Sequence, residues 1–356
     1  VVIPMSMHFG APCTPLVKAG DHVKVGQKIG EFRGLGAPIH ASVSGTVKKI
    51  GQQVGSGGRL MQTVVIAADG KQEPDPTLQP PKLETMQDFL DAVRASGMVG
   101  LGGAGFPTVV KLTVKNLEQV QAVIINGAEC EPYITSDTRT MLDRSDELME
   151  GARLVQHFLQ LRRVIFAIED NKPRCIQLYR KLTKDEDGME VCALKSLYPQ
   201  GGEKVLIYNT IGQIVPEGKL PLDVGAIVLN CTTLANIARY CNTGMPLVEK
   251  CITVDGSAVA KPKNVIVPIG MKLADVFEQS GGFCHFNDCC FIRQDTIRCL
   301  DLLSKGTCYR YLFQTALQSG GQGCYCSFST ICNRLYHNFC CWYCFFNTIF
   351  HCFSCL

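Results

Sequence analysis

The chain has 356 residues, 46% of them hydrophobic and 19% charged, with a formal net charge of +3. That length accommodates two or three domains with a substantial core, and the near-balanced charge excludes the basic field of a nucleic-acid binder, so no nucleic-acid partner is expected. Before residue 284 no apolar run is long enough to span a bilayer. The opening "VVIPMSMHFGAP" lacks the basic leader and apolar run of a signal peptide, and a start at Val1 rather than Met is expected to reflect trimming.

Residues 1–70 read as short β-strands separated by turns. "TPLVKAGDHVKVGQKIGEF" alternates apolar and polar positions around Gly20-Asp21 and Gly26-Gln27, and "APIHASVSGTVKKIG" does so with a turn at Ser44-Gly45. Two such strand pairs predict a small β-sandwich. The pattern G-D-x-V-x-x-G-Q followed by "ASVSGTV" resembles the biotinyl/lipoyl-like hammerhead. A carrier of that type needs a lysine at the hairpin tip, and the tip here is Ala41–Gly45. A structural or docking module is expected, with His8 and His40 in structural roles.

Residues 71–83, containing Pro74, Pro76, Pro80 and Pro81, read as a linker. A helix follows at about 84–96 with Phe89, Leu90 and Val93 on one face, ending at Gly97. Then come an apolar strand at 120–130, a helix at 146–161, a strand at 162–171, a short helix at 175–182 and a strand at 190–198. A last strand runs into a helix over 226–241. This βαβα alternation predicts an α/β domain with a parallel, doubly wound sheet over 84–243. In 244–283, two strand-like runs flank Asp255-Gly256 and Lys261-Pro262, and a helix starts near Leu273, in the manner of a β-grasp.

The segment 284–356 breaks with what precedes it. It has no Pro, Glu, Val or Met, and it holds all but seven of the twenty cysteines. A cysteine-rich metal domain, a membrane segment and a wrong reading frame are the three readings. The C-x-x-C pairs Cys341/Cys344 and Cys352/Cys355 lack the third cysteine and proline of a bacterial four-iron motif, and lie too close together for a zinc ribbon. The composition favours an out-of-frame tail, expected to be disordered and not to pack on the α/β core.

"GMVGLGGAGFPTVVKL", residues 97–112, concentrates glycines before a lysine. Such loops are kept where backbone approaches a ligand, most often a phosphate. Gly100, Gly102 and Gly105 fit G-x-G-x-x-G, but a dinucleotide fingerprint follows a strand and opens a helix. This loop follows a helix, so a conventional dinucleotide site is not expected. Its neighbours are informative. "NGAECEPYITSD" puts Asn126, Glu129, Glu131 and Asp137 just past a buried strand, and "YPQGGEK" (198–204) and "NCTT" (230–233) also follow strands. Ligands lie at the carboxyl ends of such strands. Converging there, these segments suit a flavin mononucleotide: N–H groups and a cation for phosphate, amides and carboxylates for ribityl, an apolar wall for the ring.

"GLGGAGFPTVVKL", "INGAECEPYITSD", "IEDNKP", "YPQGGEK", P-x-G-x-L-P-x-D-V-G (216–225) and "LNCTT", in this order, resemble the C-subunit of the Rnf/Rsx ion-translocating electron-transport complex. The likeness covers about residues 3–283. The same motifs are similar to the flavin-carrying, NADH-oxidising subunit of respiratory complex I. The resemblance implies an N-terminal barrel-sandwich hybrid, a flavin-binding α/β domain and a soluble-ligand-binding β-grasp domain. It also implies FMN, NADH as electron donor and [4Fe-4S] clusters passing electrons to other Rnf/Rsx subunits. Through those partners the chain would sit peripherally on the cytoplasmic face of the bacterial inner membrane. The redox chemistry would belong to the cofactors, and no catalytic side chain is assigned.

By position, the resemblance implies that Gly102, Gly103 and Gly105 wrap the flavin while Lys111 holds its phosphate. Asn126 and Glu129 would contact ribityl or ring. Tyr198, Gly201 and Glu203 would close the other side, and Asn230 with Thr233 would complete the phosphate shell. Phe106 and Glu131 would face the nicotinamide nucleotide. Lys111 and Glu203 are thus expected to act on one ligand from opposite sides. Three positions depart from the complex I pattern: Leu101 for an arginine, Ala128 for an aspartate and Gly202 for a glutamate. Structural alternatives stand beside these roles. Lys111 suits a solvated helix lysine, Glu129 and Glu131 suit caps of the following turn, Glu169 and Asp170 suit a turn, and Cys130 suits an inert buried thiol. The rival reading is a non-catalytic peripheral scaffold that docks complex partners. The cluster ligands cannot be placed, because the resemblance stops at Phe283.

Overall fold

A computed structural model of the chain describes residues 1–55, 60–256 and 259–282. The expectations for 284–356 lie outside the described residues. The N-terminal sandwich comprises β1 (Val2–Pro4), β2 (Thr14–Pro15), β3 (His22–Val23), β4 (Lys28–Glu31), β5 (Ile39–His40), β6 (Gly45–Val54) and β7 (Leu60–Ala68). They form two sheets, ordered β1-β7-β6-β3 and β2-β4-β5. Alternate residues point inward, so Ile3, Met5, Val23, Ile29, Ile39, Val47, Val64 and Ile66 fill one core. The tip is not free for carrier chemistry. Ala41 to Ser44 are buried, and the Ser42 hydroxyl donates to the Ile269 carbonyl at 2.6 Å. Gly45, at φ 150°, packs so tightly that an added Cβ would lie 2.1 Å from the Ala67 carbonyl oxygen.

The proline-rich stretch that follows lies along this sandwich. Val25 N–H donates to the Glu73 carbonyl and Asp75 N–H to the Val25 carbonyl, both at 2.9 Å. Proline removes donors but fixes extended backbone, which lets the strip pair on one side only.

The central domain contains α1 (Met86–Ala95), α2 (Thr108–Leu112), β8 (Ala122–Gly127), α3 (Ser136–Asp143), α4 (Ser145–Phe158), β9 (Val164–Glu169), α5 (Pro173–Leu182), β10 (Met189–Leu194), α6 (Glu203–Ile211), β11 (Ala226–Asn230) and α7 (Cys231–Thr243). Helix α1 starts on a capping box. Asp88 N–H donates to Thr85 Oγ1 at 3.1 Å, and Thr85 N–H returns a bond to the Asp88 carboxylate at 2.8 Å. The sheet is parallel, in the order β10-β9-β8-β11. Its inner strands are apolar at nearly every position because both faces are covered. Val123, Ile125, Phe166 and Leu229 meet α1, α4, α5 and α7. Ile124, Ile165, Ala167 and Val228 meet α6.

Strand order locates the site. From β8 the chain steps outward to β9 and β10, then returns to the other side of β8 as β11. The reversal lies between β8 and β11, and there Asn126 stands opposite Asn230 at the carboxyl ends. This topological switch point opens a crevice in any such sheet.

The third unit pairs β12 (Glu249–Val254) antiparallel with β13 (Lys263–Pro268), under α8 (Leu273–Gln279). Ile252, Val254, Val267, Val276 and Phe277 form its core. The N-terminal sandwich, parallel-sheet α/β domain and β-grasp unit are thus all present, as the sequence patterns predict and the resemblance implies.

Candidate functional site

The glycine loop, residues 97–106, lies at the switch point. Gly100 N–H donates to the Phe106 carbonyl at 2.8 Å and Gly105 N–H to the Gly100 carbonyl at 3.2 Å, which closes the loop. Leu101 N–H donates to Thr233 Oγ1 at 2.9 Å, anchoring it on the first turn of α7. Gly102, Gly103 and Ala104 are exposed. Their N–H groups make no hydrogen bond to any described residue. Two glycine requirements are physical. Gly103 has φ +138°, which side-chain-bearing residues rarely adopt, and a Cβ on Gly102 would come within 3.2 Å of Asn230 Nδ2. Consecutive free N–H groups of this kind form an anion-binding concavity. The residues present fit a phosphate.

The side chains assigned around it are largely bonded to one another. Asn230 caps α7, accepting from Thr233 N–H at 3.1 Å and donating to Asp137 Oδ2 at 2.7 Å. Thr232 donates to the other Asp137 oxygen at 2.5 Å. Asn126 donates to the Gly201 carbonyl at 3.0 Å and accepts from Ala128 N–H at 3.1 Å, tying β8 to the Gly201-Gly202 turn. Gly201 is required there, since a Cβ would lie 2.5 Å from the Ala128 carbonyl oxygen.

Lys111 and Glu203, expected to act on one ligand from opposite sides, are partners of each other in the structure. They bond directly, Nζ to Oε1 at 2.6 Å, and Lys111 also donates to the Val228 carbonyl at 3.2 Å. Lys111 lies in the last turn of the short α2 and Glu203 begins α6, so the two helix termini bring them together.

Glu129 acts as a cap. Its carboxylate accepts from Asp137 N–H at 2.8 Å, Thr138 N–H at 3.1 Å and Thr138 Oγ1 at 2.8 Å, at the start of α3. It is 6% exposed. Burial first, and then the neighbouring Asp137 carboxylate, push its pKa up to about 7.

Beside it opens a cleft of about 470 Å³ at the ends of β8, β9 and β10, a volume in the range of ligand sites. Glu129, Glu131 and Tyr198 line it, and so do Cys130, Tyr133 and Lys172. Tyr133 holds φ +69°, an uncommon conformation for a residue with a side chain. Lys172 binds the floor together, donating to Glu169 Oε2 at 2.9 Å and to the Glu129 carbonyl at 3.2 Å. Glu169 and Lys172 are 1% and 8% exposed, a buried pair that the turn-like "IEDNKP" did not announce. Burial pushes the Cys130 thiol up, in keeping with an unreactive role.

Two contributors come from outside the α/β domain. Phe9 N–H of the sandwich donates to the Gly105 carbonyl at 2.9 Å, and its ring lies 5.8 Å from that of Phe106. Lys250 of β12 donates to the Leu101 carbonyl at 3.0 Å. Phe9 gave no sequence signal. Lys250 did, as a lysine in the inward register of Val248, Ile252 and Val254. The three departures from the complex I pattern also find places. Leu101 and Ala128 are buried in core clusters, and Gly202 precedes α6 as its N-cap.

Comparison with known proteins gives consistent matches. Residues 1–71 match the RnfC barrel sandwich hybrid domain, residues 93–239 the Nuo51 FMN-binding domain and residues 251–288 the SLBB domain. The C-subunit of a Na(+)-translocating ferredoxin:NAD(+) oxidoreductase complex from Acetobacterium woodii is 40% identical over 289 residues, covering 80% of this chain and 65% of that protein. The C-subunit of a proton-translocating ferredoxin:NAD(+) oxidoreductase complex from Clostridium ljungdahlii is 40% identical over 287 residues, covering 80% and 63%. The chain therefore spans less than two thirds of the length of these curated relatives. Among solved structures, an NAD+-reducing [NiFe]-hydrogenase in the air-oxidized state aligns with a TM-score of 0.49 and 23% identity, over 55% of this chain and 39% of that one.

Proposed function

On the premise that the chain belongs to the RnfC family, we propose that it holds FMN at the switch point of its parallel sheet. There it would exchange electrons with a nicotinamide nucleotide on behalf of a ferredoxin:NAD+ oxidoreductase complex. The observation that carries this reading is the row of three exposed N–H groups, Gly102 to Ala104, without acceptors beside the N-terminus of α7.

The phosphate would lie on that row. Lys111 is near enough to the same sheet end to supply the cation, provided it exchanges Glu203 for phosphate. Asn126, Gly201 and Tyr198 would border the rest of the flavin, and Phe106 and Glu131 would face the nucleotide. Glu129 and Asp137 would act by holding α3 and α7 in place. FMN supplies the conversion between two-electron and one-electron transfer. The protein supplies binding, orientation and an apolar surround. NADH or NAD+, the remaining Rnf/Rsx subunits and, through them, the cytoplasmic face of the inner membrane are the partners of this proposal. [4Fe-4S] clusters belong to it only as a family expectation. Among the described residues no three metal-ligating side chains are grouped.

A second reading, a docking scaffold without cofactor, is favoured by one observation: the Lys111–Glu203 pair and the Asn230–Asp137 bond already satisfy polar atoms that a ligand would otherwise meet. Titration of the purified chain with FMN, followed by quenching of flavin fluorescence, separates the two. Saturable binding is expected, and no binding at tens of micromolar FMN would favour the scaffold.

A further inference from the structure

Where the sandwich, the glycine loop and the β-grasp unit meet there is a cavity of about 30 Å³, lined by Met7, His40, Leu101, Leu247, Lys250 and Ile269. Lys250 is 5% exposed there, in a strand whose other inward residues are apolar. Burying an amine costs free energy unless it makes a compensating bond. Its bond to the Leu101 carbonyl is one of the interactions that offset this cost.

The consequence for the loop follows from the planarity of the peptide. The carbonyl of Leu101 and the N–H of Gly102 belong to one trans unit and point in opposite directions. Lys250 holds the carbonyl on the buried side. The Gly102 N–H is thereby turned away from Lys250, in a stretch where Gly102, Gly103 and Ala104 are exposed and their N–H groups have no acceptor among the described residues. Thr233 fixes the preceding unit through Leu101 N–H. The first donor of the row is thus set by two side chains, one from α7 and one from a different domain.

We propose that Lys250 is a positioning residue for anion recognition, orienting the Leu101–Gly102 peptide so that its N–H serves the phosphate of FMN. This makes the β-grasp unit part of the phosphate site, although it contributes no contact to the ligand. The inference rests on the FMN reading above.

The test compares FMN with riboflavin, which lacks the phosphate, in wild type and Lys250→Met. Wild type is expected to prefer FMN. Lys250→Met is expected to lose about five- to tenfold in FMN affinity, the scale of one hydrogen bond, with riboflavin affinity unchanged. Titrations are run below the melting transition of each protein. If Lys250→Met does not fold, Lys250→Leu, which also lacks a donor, replaces it with the same expected change in the FMN-to-riboflavin ratio. A wild type that prefers FMN, with a variant whose ratio is unchanged, would overturn the proposal and leave the FMN reading standing. Lys250 would then only dock two domains. A wild type that binds neither flavin would sink the FMN reading and this inference with it.

Discussion

In the glycine loop, Gly102, Gly103 and Ala104 present three backbone N–H groups with no acceptor among the described residues. At the neighbouring strand ends, Asn126, Glu129, Asn230 and Thr233 have their polar atoms bonded to other protein groups. The contrast assigns different work to backbone and side chain. On the FMN reading, the side chains form a prearranged frame and the recognition surface is main chain. Such a site needs little reorganisation to accept an anion, because its donors are fixed before the ligand arrives. On that reading it would not depend on the arginine and aspartate of the complex I pattern, whose places are taken by the core residues Leu101 and Ala128.

The comparison breaks most sharply at Gly103. Gly103→Val places a β-branched residue at φ +138° within the donor row, where nothing lies within 4 Å of the added Cβ. Backbone strain of about 1–3 kcal/mol adds to occlusion, so FMN affinity should fall by about a hundredfold or more. Fluorescence titration reads this, and an unchanged circular dichroism spectrum confirms the fold.

Next in size is Lys111, the frame residue with most to offer a phosphate. A charge-assisted hydrogen bond contributes roughly 1.5–3 kcal/mol. Lys111→Met should therefore weaken FMN binding about tenfold to a hundredfold. Glu203→Gln should strengthen it, because Lys111 no longer has to leave a carboxylate 2.6 Å away. The pair is about a third exposed, so its loss should change stability by about 1 kcal/mol or less. Equal weakening by both variants would show that the pair acts only as a strut.

How far these roles were legible varied with the kind of interaction that sets them. The parallel sheet was readable because β8, β9 and β11 are apolar at consecutive positions, which only burial on both faces explains. The convergence of Asn126 and Asn230 was readable from strands ending in polar residues. The Lys111–Glu203 bond was not, since the two are ninety-two positions apart and meet only through the orientation of α2 and α6. Glu129 was read as a ligand contact with capping as its alternative. Capping depends on where α3 starts, and α3 has no side-chain cap of its own at Thr135. Phe9 escaped because it reaches the loop from a separate domain, and sequence spacing carries no record of docking; Lys250 was marked as buried by its inward register in β12, but the loop it meets was not.

A frame residue that meets no ligand should affect stability more than binding. Asn230→Ala removes the cap of α7 and the bond to Asp137, and should cost about 1–2 kcal/mol of stability. FMN affinity should fall only a fewfold. Thermal melting alongside FMN titration reads both, and a binding loss larger than that of Lys111→Met would move Asn230 out of the frame.

The smallest effect on FMN binding is expected of Glu129→Gln, whose readout is stability. A carboxyl whose folded pKa is raised to about 7 holds its proton more tightly folded than unfolded. Its contribution is therefore present at low pH and is lost as pH rises from about 4 to about 7. The wild type should lose melting temperature relative to Glu129→Gln over that window. Parallel pH profiles would show instead that the α3 N–H groups keep Glu129 ionised throughout.

The claim that backbone amides recognise the phosphate is tested most directly by amide NMR of protein labelled at glycine and alanine, with FMN and then riboflavin added. The account predicts that the amide protons of Gly102, Gly103 and Ala104 move downfield with FMN and stay nearly in place with riboflavin. Saturating FMN that leaves these three signals unmoved, or the same shifts with riboflavin, would contradict it.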